Sequence, residues 1–155
     1  MKVAIIGTGN MAAGLATVWA AAGHEISIGA RDLAKAVALA DKVGHGTVGG
    51  GIAAAAKLAD IIVLAVPYGA VADAIEHAGS LSGKVLVDIT NPISPDYKEL
   101  VIGHTTSAAQ EIQKLAPQAQ VVKAFNTIFA QLLAPESRLG KTLQVFVAGD
   151  DVAAK

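Results

Sequence analysis

The sequence predicts an α/β protein whose mostly parallel sheet is doubly wound, with helices on both faces. Three observations carry that expectation. Short β-branched runs alternate with alanine-rich stretches of helical length along the chain. The best of these runs are apolar throughout, as in strands covered on both sides. The first of them, Lys2 to Ile6, enters Gly7-Thr8-Gly9-Asn10-Met11-Ala12 directly. A strand, a glycine turn and a helix in that order are what grips a dinucleotide pyrophosphate.

The elements follow in order. Gly7-x-Gly9-x-x-Ala12 supplies the tight turn and the close backbone approach, and a helix beginning near Asn10 points its free N–H groups at a phosphate. Glu25 to Gly29 is a second strand at βαβ distance. Asp32 to Val43 reads as a helix with Asp32 as N-cap and Gly44 as its stop. Thr47-Val48 is a short third strand, after which Gly49-Gly50-Gly51 leads into a helix from Ile52 to Leu58. Asp60 opens a fourth strand, Ile61 to Val66, that Pro67 ends, and a helix from Ala70 to Ala78 follows. Lys84 to Ile89 is the fifth strand. Ser107 and Gln110 have the spacing of a capping box and start a helix that runs to Leu115. Gln120 to Phe125 and Thr142 to Ala148 make two more strands. The alternation implies parallel pairing, with ligands bound beyond the carboxyl ends of the strands. The loops to inspect are therefore 7–12, 29–32, 66–69, 90–95 and 125–129.

Composition narrows the function classes. At 155 residues and 53% hydrophobic content the chain reads as one domain. A net charge of −1 and 4% aromatic residues give neither an electrostatic footprint nor a stacking platform for nucleic acid. The absence of cysteine excludes disulfides, thiolate metal sites and a cysteine nucleophile. No apolar run is long enough to span a bilayer, and a cytoplasmic protein is the expectation. His24, His45, His77 and His104 lie in separate segments without metal-ligand spacing, so surface roles are favoured over catalysis or metal binding. Gly149-Asp150-Asp151 looks like a helix N-terminus followed by only four residues. A helix needs more length to bury a face. The expectation is either a natural short form or a longer protein cut at a domain edge.

The end of the second strand addresses the cofactor. Sites selective for NAD place an acid there, about 20 residues beyond the glycines, to hold the ribose hydroxyl, whereas an arginine accepts a 2′-phosphate. The sequence reads Ile28-Gly29-Ala30-Arg31-Asp32, with Lys35 one helical turn further on. Arg31 offers a fork of donors and Lys35 a point charge, which together suit a dianionic phosphate, so NADP(H) is favoured. Two other readings stay open: Arg31 and Lys35 as solvated charges beside a cap, and Asp32 as the ribose acid displaced by two positions. Asp88, at a strand end, suits a turn-forming role. Tyr68 could cover a ligand or pack. Asn126 could bond a flavin edge or hold its own loop.

With the strands placed, the motifs resemble the NADPH:coenzyme F420 oxidoreductase family, including the reductase domain of the six-transmembrane metalloreductases. The residues that carry the resemblance are Gly7-Thr-Gly-Asn-Met11, Gly23-His-Glu25, Gly29-Ala-Arg31, Ala65-Val-Pro67, Asp88-Ile-Thr-Asn-Pro92, Val121-Val-Lys-Ala-Phe-Asn-Thr127 and Val145-Phe-Val-Ala-Gly-Asp150. They span nearly the whole chain in family order, and the segment ending Phe125-Asn126-Thr127 is the most specific. The resemblance implies a Rossmann domain that transfers hydride between NADP(H) and a flavin or deazaflavin, with FMN, FAD or F420 as second substrate. Thr8, Arg31 and Lys35 would hold the 2′-phosphate, and Thr8 to Met11 (Thr8, Gly9, Asn10, Met11) would cover the pyrophosphate, with Gly7 in the same cofactor-binding turn. Ala65, Val66, Pro67, Asn91 and Pro92 would flank the ribose and nicotinamide, and Ala124, Phe125, Asn126, Thr127 and Ile128 would line the second pocket. Ala30 stands where F420-binding relatives carry a phosphate-binding serine, and Asn126 where they carry a histidine, which brings the chain closer to the metalloreductase type. The C-terminal helical segment of the family, which completes the acceptor site and a homodimer, is expected to be absent. No side-chain acid or base is needed for direct hydride transfer, so no catalytic residue is assigned. Two other readings compete: an NADPH-binding module or sensor with little turnover, and a hydroxyacid or imine reductase lacking its helical domain.

Overall fold

Residue alternation in the first strand explains the layers of the molecule. In the computed structural model, which describes residues 1–154, Val3 and Ile5 point to one face of the sheet and Ala4 and Ile6 to the other. All four are buried, so the strand has no polar side. The elements are β1 (Lys2–Ile6), α1 (Asn10–Ala21), β2 (Glu25–Gly29), α2 (Leu33–Val43), β3 (Val48–Gly50), α3 (Ile52–Leu58), β4 (Ile61–Leu64), α4 (Val71–Ala78), β5 (Val85–Asp88), α5 (Ala108–Leu115), β6 (Gln120–Ala124) and β7 (Val147–Gly149). Short 3₁₀ turns cover Tyr68–Ala70, Ala130–Leu133 and Pro135–Arg138.

Seven strands form one sheet in the order β3-β2-β1-β4-β5-β6-β7. Side chains of α1 and α2 pack with Val3, Ile5, Ile28 and Val63 on one face, and those of α3, α4 and α5 with Ala4, Ile6, Ile62, Leu64 and Leu86 on the other. Alanines at the contacts, such as Ala12, Ala16 and Ala36, let the helices approach the sheet closely. The chain winds outward to β2 and β3, then returns to β4 on the opposite side of β1. That reversal is a topological switch point, where the carboxyl ends of β1 and β4 diverge into a crevice. Register aligns the ends of the central strands: Ile6 stands opposite Leu64, Leu64 opposite Asp88, and Asp88 opposite Lys123.

Local signals fixed most boundaries. Asp32 caps α2 by accepting the Lys35 N–H at 3.2 Å, and Gly44 ends it with a φ of 68°. Ser107 and Gln110 form the reciprocal capping box of α5. Three expectations need correction. The third strand is Val48–Gly50 rather than Thr47-Val48, because Gly49 is a strand residue pressed against α2, where a Cβ would lie 2.6 Å from the Val37 nitrogen. The fourth strand stops at Leu64, since Ala65 and Val66 turn over Gly7, and a 3₁₀ turn precedes α4. The last strand is Val147–Gly149 rather than Thr142 to Ala148, and it runs antiparallel to β6. The physical reason is its connection: residues 130–138 form 3₁₀ turns with Leu133 packed over Gly14 of α1, and no crossover helix carries the chain back along the sheet. The 149–151 segment, read as a helix N-terminus, opens a turn in which Asp151 accepts the N–H groups of Ala153 and Ala154, the pattern of an N-cap.

Candidate functional site: a nucleotide cleft at the switch point

Gly7 and Gly9 lack side chains for different reasons. Gly7 is buried, has a φ of +125° and donates its N–H to the Gly29 carbonyl at 2.9 Å, which locks β1 to β2 at their carboxyl ends. A Cβ on it would run into the Ala65 carbonyl, whose carbon is 2.9 Å away. Gly9 has an ordinary extended backbone, φ −78° and ψ −177°, and a Cβ there would have nothing within 4 Å. The chain's own packing therefore does not require a glycine at position 9. It is the N-cap of α1, no side chain caps that helix, and no acidic residue stands in its first turn. Open space above an uncapped helix N-terminus is what a pyrophosphate requires. Gly9→Ala is expected to keep the fold, at a cost of about 1 kcal/mol for a poorer N-cap. It should also weaken dinucleotide binding at least ten-fold, checked by pairing thermal unfolding with a nucleotide titration.

From this turn a cleft of about 310 Å³ runs across the switch point. Ile6 to Gly9 form its floor and Gly29, Ala30, Arg31, Asp32 and Lys35 one wall; Ile52 also lines it, and Ala65, Val66, Pro67, Ala70, Asp73 and Ala74 form the opposite wall. Arg31 and Lys35 are exposed, and the Lys35 ammonium lies 3.7 Å from Asp32 Oδ2. Both Asp32 oxygens are thus engaged by Lys35, through backbone and side chain, which favours its role as cap over that of a ribose acid. Ala65, Val66 and Pro67 line the same cleft as the two cations.

The remaining predicted residues lie elsewhere. Asn10 is exposed at the start of α1, whereas Met11 packs against the core. Asn91 and Asn126 are tied together: the Asn91 amide donates to the Asn126 carbonyl at 3.1 Å, and Asn126 Nδ2 to Asn91 Oδ1 at 3.4 Å. Pro92 is half-buried beside them in sequence. Ala124 and Ile128 are buried in the core, so their side chains do not line an open pocket. Phe125 holds a left-handed φ of 59° and meets Trp19 edge-on, with ring centroids 5.7 Å apart. A non-glycine residue in that region stores strain of about 1–3 kcal/mol, and such strain gathers at ligand sites. Here it swings the chain so that Asn126 reaches Asn91, while Thr127 stays exposed.

A buried ionic knot supports this second region. Asp88 is fully buried; its Oδ1 accepts from the Thr90 N–H at 2.8 Å and the Thr90 hydroxyl at 2.7 Å. Lys123 Nζ donates to Asp88 Oδ2 at 2.8 Å and to the Thr90 carbonyl. Asp88 thus shapes the turn into residues 90–92, as its strand-end position suggested. Sequence reading missed Lys123, although an acid and a lysine closing two neighbouring strands were a usable signal. Tyr68 stands half-buried against the core. Burial pushes its phenol above the usual tyrosine range, and the carboxylates of Glu111 and Asp88 push the same way, so it remains neutral at physiological pH.

Sheet order, glycine turn and cleft together define a Rossmann-type dinucleotide-binding architecture. The chain belongs to the NADP oxidoreductase, coenzyme F420-dependent family, whose sequence profile matches residues 2–92. It is 32% identical over 154 residues to the metalloreductase STEAP3 of Rattus norvegicus, covering 99% of this chain and 30% of that protein. It is 36% identical over 151 residues to the F420-dependent NADP reductase of Methanothermobacter marburgensis, covering 86% of this chain and 66% of that enzyme. A crystal structure from Arthrobacter sp. FB24, of a protein with the proposed activity of an F420-dependent NADP reductase, superposes with a TM-score of 0.88 at 34% identity. It covers 99% of this chain and 76% of that one. The chain therefore spans about a third of the metalloreductase and about two thirds of the methanogen enzyme. Among the described residues no helix is long and apolar enough to cross a membrane.

Proposed function

We propose that this chain binds NADP(H) in the switch-point cleft and presents the nicotinamide to a flavin or deazaflavin for hydride transfer. The observation that carries the reading is the pairing of a glycine with no packing reason of its own, Gly9, with two cations, Arg31 and Lys35, in one cleft. Thr8, Arg31 and Lys35 take the 2′-phosphate beside Ala30, and Thr8 to Met11 surround the pyrophosphate at the start of α1. Val66 and Pro67 give an apolar wall. The Asn91–Asn126 pair, held by the Asp88–Lys123 knot, lies on the nicotinamide side, and the backbone of 124–128 borders the second ring. When bound, NADPH supplies the hydride, and the protein contributes placement and exclusion of water. A soluble F420 or FMN is the proposed acceptor class, in keeping with the named activity of the methanogen relatives.

Turnover tests the acceptor. Protein, NADPH and either FMN or F420 are mixed and the nicotinamide absorbance band is followed. Oxidation with at least one acceptor is expected, and tight NADPH binding with oxidation by neither would sink the flavin reading. Arg31→Ala tests cofactor choice: it should weaken NADPH by about 1–3 kcal/mol, the worth of hydrogen bonds to a charged group, with NADH nearly unchanged. Equal losses for both nucleotides, measured by titration, would mean that Arg31 does not read the phosphate.

A further inference from the structure

The cleft holds two carboxylates in unlike states. Asp32 is engaged twice by Lys35, at 3.2 and 3.7 Å. Asp73, in the first turn of α4, lines the opposite wall, and among the described residues no side chain or backbone N–H pairs with its carboxylate. Its backbone carbonyl accepts from His77 Nδ1 at 2.7 Å. An unpaired negative charge in a cleft built for a polyanion repels the ligand unless it meets a donor.

The ligand's own covalent structure says which donor that is. With the 2′-phosphate at Arg31 and Lys35 and the pyrophosphate over Gly9, the base on that same ribose is left between the two walls. Val66, Pro67 and Ala70 offer it an apolar surface. The heteroatom edge of adenine carries one donor, the 6-amino group, since its ring nitrogens only accept. A carboxylate only accepts. We propose that Asp73 reads the adenine 6-amino group and is the base-specificity residue of this cleft, an assignment that rests on the NADP(H) reading above.

The test compares NADPH with the analogue carrying unsubstituted purine in place of adenine, which removes the donor without adding bulk or an acceptor. Dissociation constants for both are measured with the wild-type protein, Asp73→Ala and Asp73→Asn. Wild type should prefer NADPH by roughly ten-fold or more, as expected for a hydrogen bond to a charged group. Asp73→Ala should bring the ratio near one, chiefly by weakening NADPH, and Asp73→Asn, which keeps an acceptor oxygen, should restore part of the preference. An equal ratio in wild type and Asp73→Ala would overturn the assignment, including the case where Asp73→Ala only lowers the melting temperature through the lost charge at the start of α4. Wild-type protein that binds neither dinucleotide would instead overturn the NADP(H) reading, and this assignment with it.

Discussion

Gly7→Ala should cost the protein about 3–5 kcal/mol of stability, enough to leave much of it unfolded or insoluble. Two independent penalties combine. The left-handed φ of +125° is disfavoured for any residue with a Cβ, and that Cβ would strike the Ala65 carbonyl, whose position is fixed by the Ala65 N–H donating to the Ile6 carbonyl at 2.9 Å. Relief requires β1 and β4 to part at their carboxyl ends, and this would break the bond from the Ala65 N–H to the Ile6 carbonyl. Denaturant unfolding measures the effect. The contrast with Gly9→Ala is informative, because the two glycines stand two residues apart in one motif. One is required by the fold, and the other has open space around its Cβ position and only an N-cap role in it. Loss of stability in both variants, to the same degree, would contradict that division.

Lys123→Met should cost about 3 kcal/mol of stability. Removing one partner of a buried ion pair strands the other, and Asp88 is wholly buried. The Thr90 N–H and hydroxyl still bond its Oδ1, but Oδ2 loses its cation and the Thr90 carbonyl loses a donor. The loop to Asn91 should then loosen along with the Asn91–Asn126 contact. Thermal unfolding checks the stability, and hydrogen exchange over residues 89–92 and 125–128 checks the local opening. A stability change below about 1 kcal/mol, typical of exposed pairs, would show that the knot contributes little.

The sequence was most legible where structure is set within a few residues. The strand, turn and helix around Gly7, the Asp32 cap with its Gly44 stop and the Ser107–Gln110 capping box each follow from side chains that bond their own neighbourhood. Legibility fell where a distant partner decides. Gly49 reads as loop in sequence but is strand, since the reason for it lies across the sheet in α2. The direction of β7 depends on how residues 125–146 cross α1, a stretch without periodicity, and its exposed Val147 gives no burial signal. The same limit divides the candidate site. The glycine-turn and cation side of the cleft is contained in two local motifs, at 7–12 and 30–35. The Asp88–Lys123 pair, 35 residues apart, emerges when the sheet aligns two strand ends, and Asp73, on a helix given no site role in the sequence, when α4 is brought beside the cleft.

Calorimetric titration of the wild-type protein with NADPH and with NADH is the most direct test of the whole account. The cleft as described should bind NADPH at least ten-fold more tightly than NADH, since only the former carries the phosphate for which Arg31 and Lys35 are placed. Equal affinity for the two, or no binding of either, would contradict it.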